Sequence, residues 1–190
     1  MKIAVSGTHF MGKSTLISDF LAAHPEYRTE LEPYYQLQEQ EDSELALEPS
    51  LDSLLNQLDF SIEQFNKCID EDNIIFDRCP VDFIAYSMCE LNQDEIDIND
   101  SEIAERFMDV KGCLNHLDVI IFIPMCDEDA IEYTEENPAY RKMADKYFKQ
   151  LYRDDICDIF PTYNQPRIIE LTGGRETRLK ALENIICEKY

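Results

Sequence analysis

The residues from Gly7 to Thr15 have the types and spacing of a phosphate-binding site. They read GTHFMGKST, in which a glycine, four further residues and then Gly12-Lys13-Ser14 complete the pattern. Glycines let backbone N–H groups curl round phosphate oxygens, and a helix that begins there adds the partial positive charge of its N-terminus. The stretch follows a strand-like run, Lys2–Ser6, and precedes an apolar helical pattern. That context is the one a phosphate loop requires, so we predict such a loop here.

Each residue type in this loop has an expected role. The residues expected to bind the nucleotide are Gly7, Thr8, His9, Phe10, Met11, Gly12, Lys13, Ser14 and Thr15. The Lys13 ammonium would reach the β- and γ-phosphates and act in catalysis, and the Ser14 hydroxyl would be a ligand of Mg²⁺. ATP and Mg²⁺ are therefore the expected cofactors. The pattern does not distinguish ATP from GTP.

The chain is strongly acidic, with 40 aspartates and glutamates against 17 lysines and arginines and a formal net charge of −23. A surface of that sign repels nucleic acid and anionic lipid, so we expect neither as a partner. Lys13 and bound Mg²⁺ would concentrate positive charge locally, which lets an anionic nucleotide bind an acidic protein. No apolar run approaches the roughly 18 residues that span a bilayer, and no secretory leader pattern is present. A cytoplasmic location is expected.

The seven cysteines are scattered among apolar neighbours and include no C-x-x-C pair. They are typical of reduced, buried thiols. The three histidines have no zinc-like spacing.

Apolar runs of strand length alternate with helical patterns along the chain. The runs lie at Lys2–Ser6, Tyr27–Leu31, Asn73–Asp77, Asp118–Pro124 and Arg167–Leu171. Apolar residues spaced by three and four predict helices over 51–69, 103–117, 138–151 and 176–187. This alternation predicts a doubly wound α/β fold with a parallel sheet covered on both faces, whose ligands bind beyond the carboxyl ends of the strands. At 190 residues, we expect one domain, 1–190.

Other motifs separate the classes of protein that use a phosphate loop. The string Asp109-Val110-Lys111-Gly112 matches one GTPase motif but falls inside a predicted helix, and Asn66-Lys67-Cys68-Ile69 fails the guanine motif at its last position. An ATP-driven motor would have a glutamate after the strand that ends at Asp77, where this chain has Arg78. Neither a GTPase nor a motor is indicated.

Asp77 and Arg78 suit phosphoryl transfer instead. Asp77 ends a buried strand predicted to lie beside Ser14, so its carboxylate can hold Mg²⁺, which prefers oxygen ligands. The Arg78 guanidinium can contact a transferring phosphoryl group or the substrate through paired hydrogen bonds. An ion pair of purely structural role at the strand end is the alternative.

The string Asp77-Arg78-Cys79-Pro80-Val81-Asp82 resembles a motif of nucleoside and nucleotide kinases. With the phosphate loop, the chain resembles small AAA-like ATPase or kinase domains related to the ribosylnicotinamide kinases. Pro138-Ala139-Tyr140-Arg141-Lys142 is similar to the start of their lid helix, and the stretch 171–178 to their adenine-side turn. Glu32-Pro33 stands where deoxynucleoside kinases have their catalytic base.

The resemblance implies a three-layer fold with a five-stranded parallel sheet in the order 2-3-1-4-5. It also implies a small helical lid at 125–145 and a helical segment on the acceptor side at 33–72. The implied catalytic residues are Lys13, Glu32, Asp77, Arg78 and Arg141, with Ser14 and Asp77 on the metal, and Arg175 and Arg178 near adenine. Whether Glu32 or Asp77 is the base stays open, as does a merely exposed role for Glu32, Arg141 or the two helix-start arginines.

Two functions follow as expectations. The first is ATP- and Mg²⁺-dependent transfer of a phosphoryl group to a hydroxyl of a small molecule, most plausibly a nucleoside or a similar compound. The second is a nucleotide-binding regulator or slow NTPase that acts through a protein partner, which the acidic residues 127–136 favour because kinase lids usually carry arginines there. The acceptor's identity, the oligomeric state, with a homodimer left open, and the reason for the acidity do not follow from the sequence.

Overall fold

Five parallel strands form the central sheet of the protein. The computed structural model describes residues 1–34, 36–37, 50–93, 97–126 and 138–187. The strands are β1 (Lys2–Ser6), β2 (Arg28–Glu30), β3 (Ile74–Asp77), β4 (Val119–Phe122) and β5 (Arg167–Glu170). They are arranged in the order β2-β3-β1-β4-β5, and every pair of neighbours is parallel. The fold class and the strand order expected from the sequence are confirmed.

In the part of the chain that the structure describes, six α-helices with assigned bounds cover the two faces of this sheet. They are α1 (Lys13–Ala23), α2 (Leu51–Lys67), α3 (Pro80–Gln93), α4 (Phe107–Leu114), α5 (Pro138–Asp154) and α6 (Arg175–Cys187). Successive side chains of a strand point to opposite faces, and the two apolar cores follow that alternation. Ala4, Ile74 and Phe76 pack with α2, α3, α4 and α5, whereas Ile3, Val5 and Ile75 pack with α1 and α6. The result is a three-layer α/β/α fold.

Local sequence explains where several helices begin and end. The Ser50 side chain accepts a hydrogen bond from Ser53 N at 3.2 Å and so caps α2, and Lys67 lies in its last turn, where a cation is favourable. Pro80 occupies the first position of α3, where a missing N–H costs nothing. These local signals place the helices close to where apolar spacing predicts them.

The helix expected from Ile103 begins later than predicted. Two short 3₁₀ turns, Ile98–Asp100 and Ala104–Arg106, precede α4 at Phe107. Arg106 donates from Nε and Nη2 to Asp59 on α2, and from Nη1 to Glu102 O, which stabilises the tight turn. Because both helix types place residues three apart on one side, apolar spacing alone does not separate them.

All seven cysteines lie in the described residues and are free thiols. Five are buried, Cys126 is half-buried and Cys187 is exposed. Among the helices that the structure describes, none combines the length and apolar character needed to cross a bilayer.

Candidate active site

The loop between β1 and α1 crosses the carboxyl edge of the sheet, between the ends of β3 and β4. Gly7 has φ = 138°, and a Cβ there would lie 2.5 Å from the Ile123 carbonyl oxygen just beyond β4. Gly12 precedes α1 with φ = 78°, a left-handed conformation that glycine adopts without strain. The two glycines of the motif therefore stand where the backbone needs them, one for close approach and one for the turn into the helix.

Cationic side chains bind the carbonyl groups of this loop. Lys13 Nζ donates to Gly7 O and Thr8 O, at 2.9 Å each. Arg141 Nη2 on α5 donates to His9 O at 3.0 Å, and Arg178 Nη1 on α6 donates to Met11 O at 2.6 Å. Helices from both layers thus hold the loop in place.

Burial and neighbouring charges shift the pKa values of two side chains in the loop, His9 and Lys13. Burial, and then the neighbouring Arg78, Lys13 and Arg141 cations, lower the pKa of His9 to about 2. Burial, followed by the nearby Arg78 charge, lowers the pKa of Lys13 to about 8. Burial is the larger cause of both shifts, and the neighbouring cations add to it, while Asp82, Asp77 and Glu32 act in the opposite direction on Lys13.

Ser14 and Asp77 provide oxygen atoms beside the loop. The Ser14 hydroxyl donates to Asp77 Oδ2 at 3.0 Å. The other carboxylate oxygen, Asp77 Oδ1, is buried and has no hydrogen-bond partner among the described residues. Burial raises the pKa of Asp77, against the lowering effect of Lys13 and Arg78. A hydroxyl and a carboxylate with an unused oxygen are a donor set that fits Mg²⁺, which prefers hard oxygen ligands.

Arg78 lies at the centre of a buried polar cluster. Its side chain is only 2% exposed, and its backbone has φ = 83°. Nε donates to Glu32, Nη1 to Asp82 Oδ1 at 3.3 Å, and Nη2 to His9 Nδ1 at 3.0 Å. The guanidinium carbon also lies 5.3 Å from the centre of the Tyr86 ring. The structure therefore brings Glu32 and Arg78 together as an ion pair whose arginine is held within the protein.

Asp82 is a residue of this cluster to which the sequence analysis assigns no role. The carboxylate is fully buried and accepts hydrogen bonds from Ser6 Oγ at 2.6 Å, Gly7 N at 3.3 Å and Cys79 N at 3.0 Å. Ser6 Oγ in turn accepts from Tyr152 Oη at 2.6 Å. Asp82 lies at the third position of α3 and bonds back to the N–H that precedes the helix. An acid at that position is a recognisable capping signal that could have identified it.

The two arginines expected near adenine lie in different surroundings. Arg175 is exposed and pairs with Asp19 on α1, with both N–O distances at 2.6 Å. Arg178 is buried against the loop through Met11 O. The spacing of Arg178 from the buried Leu182 and Ile185, four and seven residues on, places it on the inner face of α6.

The expected site residues thus fall into two groups. Lys13, Ser14, Glu32, Asp77, Arg78, Arg141 and Arg178 lie at or around the loop, whereas Arg175 pairs on the surface. Phe10 is 58% exposed in a left-handed conformation, and Arg141 lies 5.6 Å from its ring centre. Of the expected lid, residues 127–137 lie outside the described part, as do residues 35 and 38–49 of the acceptor-side segment.

Comparison with known proteins agrees with this architecture. A family model described as an AAA domain matches residues 2–178. No curated protein sequence matches the chain significantly.

Solved structures match nearly the whole chain at low identity. A deoxyadenosine kinase from M. mycoides with bound dATP is 19% identical, with a TM-score of 0.68, over 98% of this chain and all of that one. Thymidylate kinase from Candida albicans is 16% identical, with a TM-score of 0.58, over 99% of this chain and 91% of that one. NadR protein in complex with NR is 14% identical, with a TM-score of 0.61, over 98% of this chain and 50% of that one. At these identities, the likeness shows the fold.

Proposed function

The chain belongs to the AAA domain family of phosphate-loop proteins, and from this premise we propose that it is a phosphotransferase. It uses ATP and Mg²⁺ to phosphorylate a hydroxyl of a small molecule, which is a nucleoside or a nucleoside-like compound. Residues 1–190 act as one unit, in which 125–145 form the lid and 33–72 contribute to the acceptor side. The structural matches to a deoxyadenosine kinase and a thymidylate kinase support this substrate class.

The observation that carries the proposal is the pairing of Ser14 with Asp77 beside Lys13. The two oxygens that face each other at 3.0 Å come from the start of α1 and the end of β3. They are the residues that would hold Mg²⁺, and the unpartnered Asp77 Oδ1 supplies a further ligand atom. When bound there, Mg²⁺ would supply positive charge that offsets the negative charge of the phosphates, and the buried Lys13 ammonium would contact the same phosphates.

Glu32 is on the side where an acceptor hydroxyl would approach. Its carboxylate is 15% exposed and bound to Arg78 Nε. A positioned carboxylate there can accept the proton of the attacking hydroxyl, and Asp77 is the alternative base. Arg141 would contribute positive charge from the lid helix, where it already contacts His9 O. Arg178, held at Met11 O, is the better placed of the two arginines to lie near the nucleotide.

A second candidate function is a nucleotide-binding regulator or slow NTPase acting through a protein partner. The observation that favours it is the Arg78 side chain, each of whose three nitrogens already has a partner within the protein. An arginine so engaged positions other residues but is not free to stabilise a transferring phosphoryl group. The two functions differ in whether an acceptor is needed for turnover.

The test is ADP release from ATP with Mg²⁺, measured with and without a panel of nucleosides. Phosphoryl transfer predicts ADP release that requires one acceptor and yields its phosphorylated form. Lys13→Ala should lower the rate by at least about a hundredfold, while exposed Lys180→Ala on α6 should not change it. Acceptor-independent hydrolysis, or ATP binding without turnover, would support the regulator instead.

A further inference from the structure

Arg78 joins three segments of the chain that are distant in sequence. It contacts Glu32 after β2, Asp82 on α3 and His9 in the phosphate loop, each through a different nitrogen. With 2% of its side chain exposed, the guanidinium is shielded from water. The position of the Glu32 carboxylate therefore depends on how Asp82, His9 and the Gly7 carbonyl, which accepts from Nη1 at 3.4 Å, hold Arg78.

The His9 ring accepts the hydrogen bond from Arg78 Nη2. A guanidinium can only donate, so His9 Nδ1 is the acceptor and the ring proton is on Nε2. Burial and the surrounding cations, which lower the pKa of His9 to about 2, keep the ring neutral. The ring centre lies 5.0 Å from that of Tyr86, and the His9 carbonyl accepts from Arg141. Both the ring and the backbone of His9 are thereby fixed.

We propose that His9 is a positioning residue for phosphoryl transfer, because its Nδ1 fixes the arginine that holds Glu32 on the acceptor side. This inference rests on the function proposed above. The contacts run from the phosphate loop through His9 and Arg78 to Glu32, so the nucleotide and acceptor sites are coupled. Each ligand should raise the affinity for the other by the same factor, since such coupling is reciprocal.

Three substitutions of His9 separate this role from simple packing. His9→Asn retains an acceptor atom close to the position of Nδ1, His9→Gln moves it toward the position of Nε2, and His9→Leu removes it. We expect kcat to fall by about ten- to a hundredfold in the Gln and Leu variants and by less than about threefold in the Asn variant. The coupling factor, measured by calorimetry as the ratio of ATP affinities with and without acceptor, should fall toward one in the same two variants.

Two kinetic outcomes would overturn the inference. One is a Leu variant with the parent's kcat and coupling factor. The other is an Asn variant as impaired as the Leu variant, which would assign His9 a packing role only. Melting temperatures of all three variants show whether each is folded before its kinetics are compared.

A measurement without substrate separates this inference from the proposed function. The Arg78 Nε–H signal in a ¹⁵N spectrum, assigned by its loss in Arg78→Lys, should exchange slowly in the parent and in His9→Asn. In His9→Leu it should exchange about tenfold faster or more, because the guanidinium loses one of the contacts that hold it. An unchanged signal in His9→Leu overturns the inference. If the parent phosphorylates no acceptor, the proposed function fails and this signal alone decides the role of His9.

Discussion

The Ser14 hydroxyl donates to Asp77 Oδ2 at 3.0 Å, although 63 positions separate the two residues in the chain. Parallel pairing of β1 with β3 places Val5 opposite Asp77, so the loop after β1 begins next to the end of β3. The fold thus brings a hydroxyl and a carboxylate from two separate motifs together beside the phosphate loop.

Asp77→Asn should weaken metal binding without lowering the stability of the ligand-free protein. Burial raises the pKa of Asp77, so its ionised form is disfavoured by folding, and the amide should leave the melting temperature of the ligand-free protein equal or higher. The increase in melting temperature on adding Mg²⁺ and ATP should largely disappear, because the amide is a weaker ligand. Exposed Asp109→Asn is the matched control, and it should behave as the parent. A full ligand-induced shift in Asp77→Asn would exclude Asp77 from the metal site.

ATP binding should depend on pH through Lys13. Burial and Arg78 lower its pKa to about 8 in the folded protein, from an ordinary value of 10.5. Above pH 8, the free loop has a neutral amine, and bound phosphate restores the proton. Binding should therefore take up protons, and the Kd for ATP should rise by up to about tenfold per pH unit. Calorimetry in buffers of different ionisation enthalpy measures this uptake, which Lys13→Met should abolish.

The lowered pKa of Lys13 also predicts that the free protein becomes more stable as pH rises, whereas ATP binding becomes weaker. Between about pH 8 and pH 10.5, the unfolded chain binds a proton at Lys13 that the folded protein has lost. The free energy of unfolding should therefore gain a contribution from this residue as pH rises through that window. Urea unfolding of the parent and Lys13→Met at pH 7.5 and 9.5 tests it, since the gain should be smaller in the variant.

Gly7→Ala should lower the free energy of unfolding, whereas Gly112→Ala should raise it. An added Cβ at Gly7 would lie 2.5 Å from Ile123 O, at φ = 138°, so we expect a loss of about 2–4 kcal/mol. Gly112 is inside α4, with nothing within 4 Å of an added Cβ, so alanine should stabilise by about 0.5–1 kcal/mol through helix propensity. Urea unfolding measures both. A stable Gly7→Ala protein would show that the loop can move away from β4.

Asp82→Asn should destabilise the protein by about 2–4 kcal/mol. Ser6 Oγ and Cys79 N donate to one carboxylate oxygen, and Gly7 N and Arg78 donate to the other. In either orientation, the asparagine NH₂ would face two donors.

Tyr152→Phe removes the donor to Ser6 Oγ, together with the contact of this hydroxyl with the Cys79 thiol, and should cost about 1 kcal/mol. Exposed Tyr163→Phe is its control and should be neutral. Chemical unfolding ranks the three variants. Equal stability of Asp82→Asn and the parent would contradict the proposed network.

The phosphate loop and the sheet could be predicted from sequence because both depend on local patterns. Gly7, Gly12 and Lys13 lie within seven residues, and the buried strands are short apolar runs. The strand order came from a resemblance to known kinases. The start of α4 was missed because tertiary contacts of Arg106 stabilise a 3₁₀ turn, which apolar spacing does not distinguish from an α-helix.

The contacts of Arg78 could not be derived in this way. Asp82 is four residues from Arg78, but Glu32 and His9 reach this side chain only because β2, β3 and β1 are neighbours in the sheet, and no spacing in the chain encodes those two contacts. The sequence does indicate that Arg178 is buried, because its spacing places it on the apolar face of α6. It does not indicate that Arg175 pairs with Asp19. The sequence therefore indicates which residues have side chains suited to binding phosphate and metal, while the fold determines which of them contact one another.

The cations that bind the loop carbonyls have a consequence for ligand affinity. Gly7, Thr8, His9 and Met11 each have a carbonyl oxygen that accepts from Lys13, Arg141 or Arg178. Since these bonds join groups of the protein itself, the chain entropy of arranging the loop is lost largely during folding, and a smaller cost remains for the binding of a polyphosphate. A triphosphate would therefore bind a loop that is already arranged, in a single step without a slow rearrangement of the loop. The association rate should depend on solvent viscosity only through the diffusion of the ligand to the site.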